Sequence, residues 1–296
     1  MPRPVSPDGC LRSGLMAVRN KPRIAAPSRQ GALTARTADP RALYEAAVQC
    51  VEAEIDFVDR RFKSLRGRLA SRLREDFCAT AATSCEWVKR RPTNTAVAVD
   101  IDPEPLAWSR VNHLARLPED ARGRVTLLRR DVRDVGPGGD AMDMILACNF
   151  SYWIFHTRDA LRGYFESVRR SLVTDGVFFL DFFGGWEASK VQIERRRCRG
   201  FTYVWEHESY NPLTGDMTCH IHFEFPDKTK LRKAFTYQWR LWTLAEVREL
   251  LTEAGFSRVT VYWEGDDPKG GGNGIFKPTT TGESCPSWIA WISAEK

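Results

Sequence analysis

The stretch Leu73-Arg74-Glu75-Asp76-Phe77-Cys78-Ala79-Thr80-Ala81, followed downstream by Asp100-Ile101-Asp102-Pro103, decides the fold. Around it the hydrophobic pattern alternates between two periods. Residues 71–77 read as a strand, 82–91 as a helix, 95–100 as a second strand, 103–116 as a helix and 124–128 as a third strand. Met142 to Cys148 reads as a strand, Arg158 to Leu172 as a helix and Val177 to Phe183 as a strand. Strand and helix alternating at this pace imply a parallel sheet with right-handed crossovers. In such a sheet, ligands bind beyond the carboxyl ends of the strands where the strand order reverses.

Three acids stand at those ends. Glu75 lies near the end of the first strand, Asp100 ends the second, and Asp131 follows the third. A carboxylate at the end of the second strand is placed to accept two hydrogen bonds from a ribose diol. A nicotinamide enzyme uses the same acid, so Asp100 alone does not choose a cofactor. The turn decides more: a pyrophosphate needs glycines so that backbone amides can approach it, and residues 77–83 contain none.

With this order of elements, the sequence resembles the class I S-adenosylmethionine-dependent methyltransferases over roughly residues 70 to 293. The family's first loop reads like E/D-x-G-x-G-x-G. Glu75 to Ala81 aligns with it, Cys78 and Thr80 matching a frequent C-G-T-G variant. Leu241 to Phe256 resembles the family's late helix and its glycine-phenylalanine exit, Gly255-Phe256, into the sixth strand. The resemblance implies an α/β fold: a seven-stranded Rossmann-like sheet with helices on both faces and an antiparallel β insertion after the fifth strand.

It also implies S-adenosyl-L-methionine as cofactor and a set of residues around it. Glu75 or Asp76 would orient the methionine amino group, and Ala79, Thr80 and Ala81 would run beneath the cofactor. Asp100 would hold the ribose hydroxyls, Ile101 would pack on the adenine, and Asp131 with Val132 would meet the adenine amino edge. Cys148, Asn149 and Phe150 would end the fourth strand beside the sulfonium. Phe77, Ala79 and Ala81 depart from the family pattern, standing where it has glycine. If the backbone there needs a positive φ, each alanine costs on the order of 1 kcal/mol. That departure keeps a cofactor-binding but non-catalytic relative in view, beside an NAD(P)-dependent oxidoreductase.

The rest of the chain frames this domain. Residues 1–38 hold seven basic residues against Asp8 alone, which accounts for the whole formal charge of +6 and leaves residues 39–296 formally neutral. They read as a disordered basic tail; a transit peptide, or a start set upstream of Met16, reads the same. The methyltransferase domain is expected to occupy 39–296. It opens with one long amphipathic helix from Asp39-Pro40 through Val58, folded like a lid with Tyr44 facing in, or buried against the body. After Gly185, Phe201 to His207, a turn at Asn211 to Gly215 and Met217 to Phe225 read as a hairpin, extended by Ala234 to Arg240. Residues 186–240 are therefore expected to form an inserted β subdomain covering an acceptor site. A helix at Thr243 to Ala254, a strand at 257–263, a glycine-rich loop at 265–274 and a last strand at Trp288 to Ser293 follow.

Methyl transfer from a sulfonium is an in-line displacement that needs no metal, so alignment and exclusion of water carry most of the catalysis. A base matters only for a protonated acceptor. His156, closing Asn149 to His156 after the fourth strand, is the candidate; capping or loop packing is its ordinary alternative. His220 and His222 share a strand face without a third ligand, which favours cross-strand pairing over metal binding. Tyr44, Tyr152, Trp153, Trp186, Trp205 and Trp239 are the aromatic candidates for binding a small N or O acceptor; sheet packing explains the hairpin members equally well. The neutral body gives no sign of a nucleic-acid partner, and no apolar run is long enough for a membrane span. Eight cysteines without a CxxC pair read as reduced thiols of a cytoplasmic protein. Oligomeric state does not follow from the sequence.

Overall fold

The computed structural model describes residues 33–268 and 271–296, so most of the expected basic tail and part of the glycine-rich loop lie outside the described residues. The chain divides into two compact units, one of residues 50–182, 244–260 and 291–296, the other of the remaining segments up to 49, 183–243 and 261–290.

The first unit carries α2 (Val51–Arg66), β1 (Arg72–Asp76), α3 (Ala82–Arg90), β2 (Thr95–Asp100), α4 (Pro103–Asn112), α5 (Glu119–Arg122), β3 (Val125–Arg129), β4 (Met142–Ala147), α6 (Arg158–Ser171), β5 (Leu172–Gly184) up to Phe182 and α7 (Leu244–Glu253). β1 pairs in parallel with β2 on one side and β4 on the other; β2 pairs with β3 and β4 with β5, also in parallel. The order β5-β4-β1-β2-β3 places the reversal between β1 and β4. Side chains alternate along a strand, so neighbours identify the two faces. Glu75 bonds Ser84 of α3, whereas Asp76 bonds Tyr164 of α6. Phe178 of β5 likewise meets Tyr164 and Phe256, while Phe179 meets Phe57 of α2. Helices α2 and α3 thus cover one face and α6 the other. Met144, Ile145, Leu146 and Ala147 of β4, fully buried between them, form the middle of the core.

The other unit carries α1 (Pro40–Val48), β6 (Gln192–Cys198), β7 (Phe201–Tyr210), β8 (Asp216–Glu224), β9 (Lys230–Arg240) and β11 (Gly272–Thr279), together with most of β10 (Arg258–Asp266) and the start of β12 (Trp288–Glu295). Strands β6 to β9 form an antiparallel sheet in sequence order. Its central turn runs from Asn211 to Gly215: the Gly215 amide donates to the Asn211 carbonyl, and Gly215 has φ +77°, a conformation that favours glycine.

Four expectations need correction. The larger sheet has eight strands in the order β11-β10-β12-β5-β4-β1-β2-β3, not seven. The added strand, β11, lies in and beyond the expected glycine-rich loop. Its glycines and Pro278 read as irregular, yet an edge strand pairing only with β10 tolerates them. The insertion has four strands rather than the three expected: charged β6 is added as an edge strand, where charge deters further pairing. The single N-terminal helix is two: Gln49 turns extended at ψ +144°, and α2 restarts behind Cys50, whose amide donates to Glu54 Oε1 at 3.3 Å. That reach back resembles half of a capping box. The helix after β2 ends at Asn112, with a 3₁₀ turn taking over at 114–116.

Candidate functional site

The site grows from the carboxyl ends of β1 and β2. Beyond Asp76 the chain enters a left-handed zigzag, with φ of +56° at Phe77, +43° at Ala79 and +56° at Ala81. These are the three positions where the sequence departs from glycine. Backbone bonds enforce the path: Cys78 N–H donates to Val99 O at 3.0 Å and Ala81 N–H to Cys78 O at 2.7 Å. Below the loop, Cys78 and Ala81 pack with Ala98 and Leu106, all but inaccessible to solvent. Thr80 is buried as well.

Asp100 ties this loop to β2. Its Oδ2 accepts from Ala79 N–H at 2.8 Å and its Oδ1 from Asp102 N–H at 2.9 Å. Each oxygen keeps accepting capacity for a second donor such as a hydroxyl. Burial pushes the Asp100 carboxyl above its usual range against these bonds. Ile101, next along the chain, is 66% exposed, unusual for its type. Past β3, Asp131 accepts from the Arg133 guanidinium at 2.7 Å and from the Arg133 amide at 2.9 Å, which holds its carboxyl below the usual range. Val132 is buried, and the Arg133 guanidinium lies 5.5 Å from the Phe155 ring centre.

Glu75 and Asp76, the two candidates for an ammonium partner, occupy different surroundings. Glu75 Oε2 accepts from Ser84 N–H at 2.8 Å and from Ser84 Oγ–H at 2.6 Å. Burial pushes Glu75 up to about 7, with repulsion from Glu54 of α2 adding to it. Glu54 is pushed up to about 7 for the same first reason, and its Oε2 is buried without a hydrogen-bond partner. Asp76 is committed elsewhere: Arg74, fully buried, lies with Nε 2.8 Å from its Oδ1, and Tyr164 O–H donates to its Oδ2 at 2.9 Å. Glu75 is thus the acid left at the Ala79 loop, and Asp76 is part of an internal ion pair.

Behind β4, Cys148, Asn149 and Phe150 turn sharply, with φ of +58° at Asn149 and +57° at Phe150. The Asn149 and Phe150 amides donate to the carboxylate of Asp181 on β5, and burial raises the Cys148 thiol far above its ordinary value. Tyr152 and Trp153 follow in a 3₁₀ turn and are fully buried, Tyr152 against Phe165 and Trp153 against Phe182, so they serve the core. His156 is exposed immediately before Thr157, which caps α6.

In the other unit, Tyr44 packs on Phe235 at 5.2 Å between ring centres. Trp205 and Trp239 are buried with Tyr237 on one sheet face, and Trp186 is 63% exposed. His220 sits between Thr236 Oγ1 and Glu208 and His222 pairs with Glu206, each ring nitrogen being engaged. Among the described residues no group of His, Cys, Asp or Glu is arranged to hold a metal ion, and the seven described cysteines are free thiols. No helix there is long and apolar enough to cross a membrane. Glu54, Ser84 and Asp181 were not singled out in the sequence; the signal for Asp181 was an acid inside the apolar run from Val177 to Phe183.

No family model and no curated protein matches the sequence. Solved structures do match. An S-adenosylmethionine-dependent methyltransferase from Clostridium acetobutylicum superposes with a TM-score of 0.63 at 16% identity, over 86% of this chain and 96% of that one. CalS10, an amino pentose methyltransferase from Micromonospora echinaspora solved with S-adenosylmethionine bound, gives 0.62 at 17% identity over 86% and 96%. The sugar N-methyltransferase KedS8 from Streptoalloteichus gives 0.59 at 15% identity over 94% and 99%. With its five parallel strands reversing between β1 and β4, the chain has the class I, Rossmann-like fold of the S-adenosylmethionine-dependent methyltransferases.

Proposed function

We propose that this chain is an S-adenosylmethionine-dependent methyltransferase acting on a small-molecule nitrogen or oxygen acceptor. The observation that carries the reading is the joint at Ala79 and Asp100: a glycine-free loop bent into glycine-like geometry and fastened to a carboxylate at the end of β2. A dinucleotide site would need the Ala79 amide for phosphate, and here it is spent on Asp100. The solved relatives described as amino pentose and sugar N-methyltransferases support a small amine as acceptor.

Asp100 would take the ribose hydroxyls, exposed Ile101 one face of the adenine and Asp131 with Val132 its amino edge, while Glu75 would hold the methionine ammonium. The bound sulfonium would supply an activated methyl group whose leaving group needs no protonation. What remains for the chain is to align the acceptor and exclude water, and the strained turn at Cys148 to Phe150 would line that side. His156 is assigned the proton of an acceptor that arrives protonated.

Calorimetry with S-adenosylmethionine and S-adenosylhomocysteine tests the reading. Both are expected to bind, and Asp100→Ala, which removes two charge-assisted acceptors, should weaken binding by about a hundredfold or more. A folded wild-type chain that binds neither would sink the proposal; a response to NAD(P)H alone would move it to an oxidoreductase. A second reading, a cofactor-binding but non-catalytic relative, is favoured by the strained non-glycine positions at 77, 79 and 81. Binding without turnover over a broad panel of amines and alcohols would support it.

A further inference from the structure

Asp181 sits on β5 one residue past Leu180, which pairs with Ala147 on β4, so it stands beside the point where the neighbouring strand ends. Its two carboxylate oxygens are used on consecutive amides of that neighbour. Asn149 N–H donates to Oδ2 at 2.8 Å and Phe150 N–H to Oδ1 at 3.0 Å. A third tie comes from Tyr152, whose O–H donates to the Asp181 carbonyl at 2.9 Å, and Ser151 Oγ–H closes the turn onto Cys148 O at 2.9 Å. Both amide donors belong to residues with left-handed backbone, and Phe150 is a type that avoids it. Strain of this kind persists only where surrounding bonds over-determine the conformation, and it concentrates at functional sites.

We propose that Asp181, in its carboxylate form, is a positioning residue that holds the Cys148 to Phe150 turn in its left-handed shape beside the transferred methyl group. The inference rests on the methyltransferase reading for its functional half, since that reading puts this turn next to the donor.

A carboxylate accepts both amides as charge-assisted bonds. A carboxylic acid keeps a good acceptor in its carbonyl oxygen, but its hydroxyl oxygen is a weak acceptor and its O–H competes for the space of one amide. Burial pushes Asp181 up to about 7, and Glu54 on α2 repels its charge further. The other titratable groups facing it are Cys148, just beyond β4, and Tyr152 on the 3₁₀ turn, both held neutral because burial raises them far above their ordinary values. The turn is therefore set to loosen as pH falls through neutrality.

Amide hydrogen exchange of the full chain, expressed as protection factors at Asn149 and Phe150, reads the turn without any ligand. In the wild type, protection at these two amides should fall between pH 8 and pH 6 while that of Met144 to Ala147 stays level. In Asp181→Asn it should be low and independent of pH, and in Asp181→Glu, which keeps the charge, partly restored. S-adenosylhomocysteine affinity should drop about tenfold in Asp181→Asn, the loss of one charge-assisted bond. Unchanged protection at Asn149 and Phe150 in Asp181→Asn overturns the proposal, as does lost protection with full affinity. If Asp181→Asn does not fold, the pH series on the wild type and on Asp181→Glu decides alone. A wild type that binds no S-adenosylhomocysteine instead refutes the methyltransferase reading, and the exchange data still judge the bond.

Discussion

Replacing Ala79 with glycine should stabilise the protein, whereas glycine at Ala81 should leave it nearly unchanged. Both alanines have left-handed backbone, at φ +43° and +56°, which for an L-residue costs roughly 1–2 kcal/mol. Glycine removes that cost but adds about 0.5–1 kcal/mol of unfolded-chain entropy. Ala79 is only half-buried, so little packing is lost and the net gain is about 0.5–1 kcal/mol. Ala81 is completely buried in the cluster with Cys78, Ala98 and Leu106, and losing its methyl costs about 0.8 kcal/mol, which cancels the relief. Ala98→Gly, buried in ordinary strand geometry, serves as control and should lose about 1–2 kcal/mol. Urea unfolding at fixed pH, compared by midpoint at constant slope, resolves these differences, and a thermal scan should place Ala79→Gly roughly 2 °C above the wild type. If Ala79→Gly falls alongside Ala98→Gly, the loop is not strained and the argument from its geometry is wrong.

Three further outcomes follow from the same surroundings. Glu54 and Glu75 are both raised to about 7 when folded, so the stability they contribute is present in full below their unfolded values near 4.5 and is lost as pH rises through about 7. Urea unfolding should show stability falling by up to about 3 kcal/mol per group over that window, and Glu54→Gln should flatten the profile; a level wild-type profile would falsify the assignment. Holding an ammonium needs Glu75 ionised, so S-adenosylhomocysteine binding at pH 6.5 should release part of a proton, read as different heats in phosphate and imidazole buffers; equal heats would count against Glu75 as the partner. In the buried Arg74, Asp76 and Tyr164 group, Asp76→Asn should cost about 3–5 kcal/mol by urea unfolding, while Arg74→Met, Asp76→Leu and Tyr164→Phe together should cost far less. A triple variant as unstable as the single one would mean the ion pair itself is stabilising.

What could be read from the sequence and what could not separates by the range of the forces involved. Strand and helix alternation from Arg72 to Phe182 is local periodicity, and the structure keeps it with ends moved by a residue or a few. The left-handed positions at 77, 79 and 81 were likewise legible, because a family that has glycine there announces the backbone it requires. Tyr152 and Trp153 show where local reading stops: their place after β4 made them candidates for binding the acceptor, but the 3₁₀ turn buries both in the core. Nor does sequence distinguish Glu75 from Asp76, adjacent acids at one strand end. Only the sheet's two faces do so, giving Asp76 the buried Arg74 and Tyr164 and leaving Glu75 with Ser84. Asp181 bonds amides 32 and 31 residues away in sequence, a pairing that exists only once β4 and β5 lie side by side. Its trace in the sequence is negative: an acid standing between Leu180 and Phe182, where the pattern calls for another apolar residue. A buried carboxylate without bonds is too costly to keep, so such an acid inside an apolar strand already states that donors must converge on it. In this fold the donors at hand are the amides of the adjoining strand end.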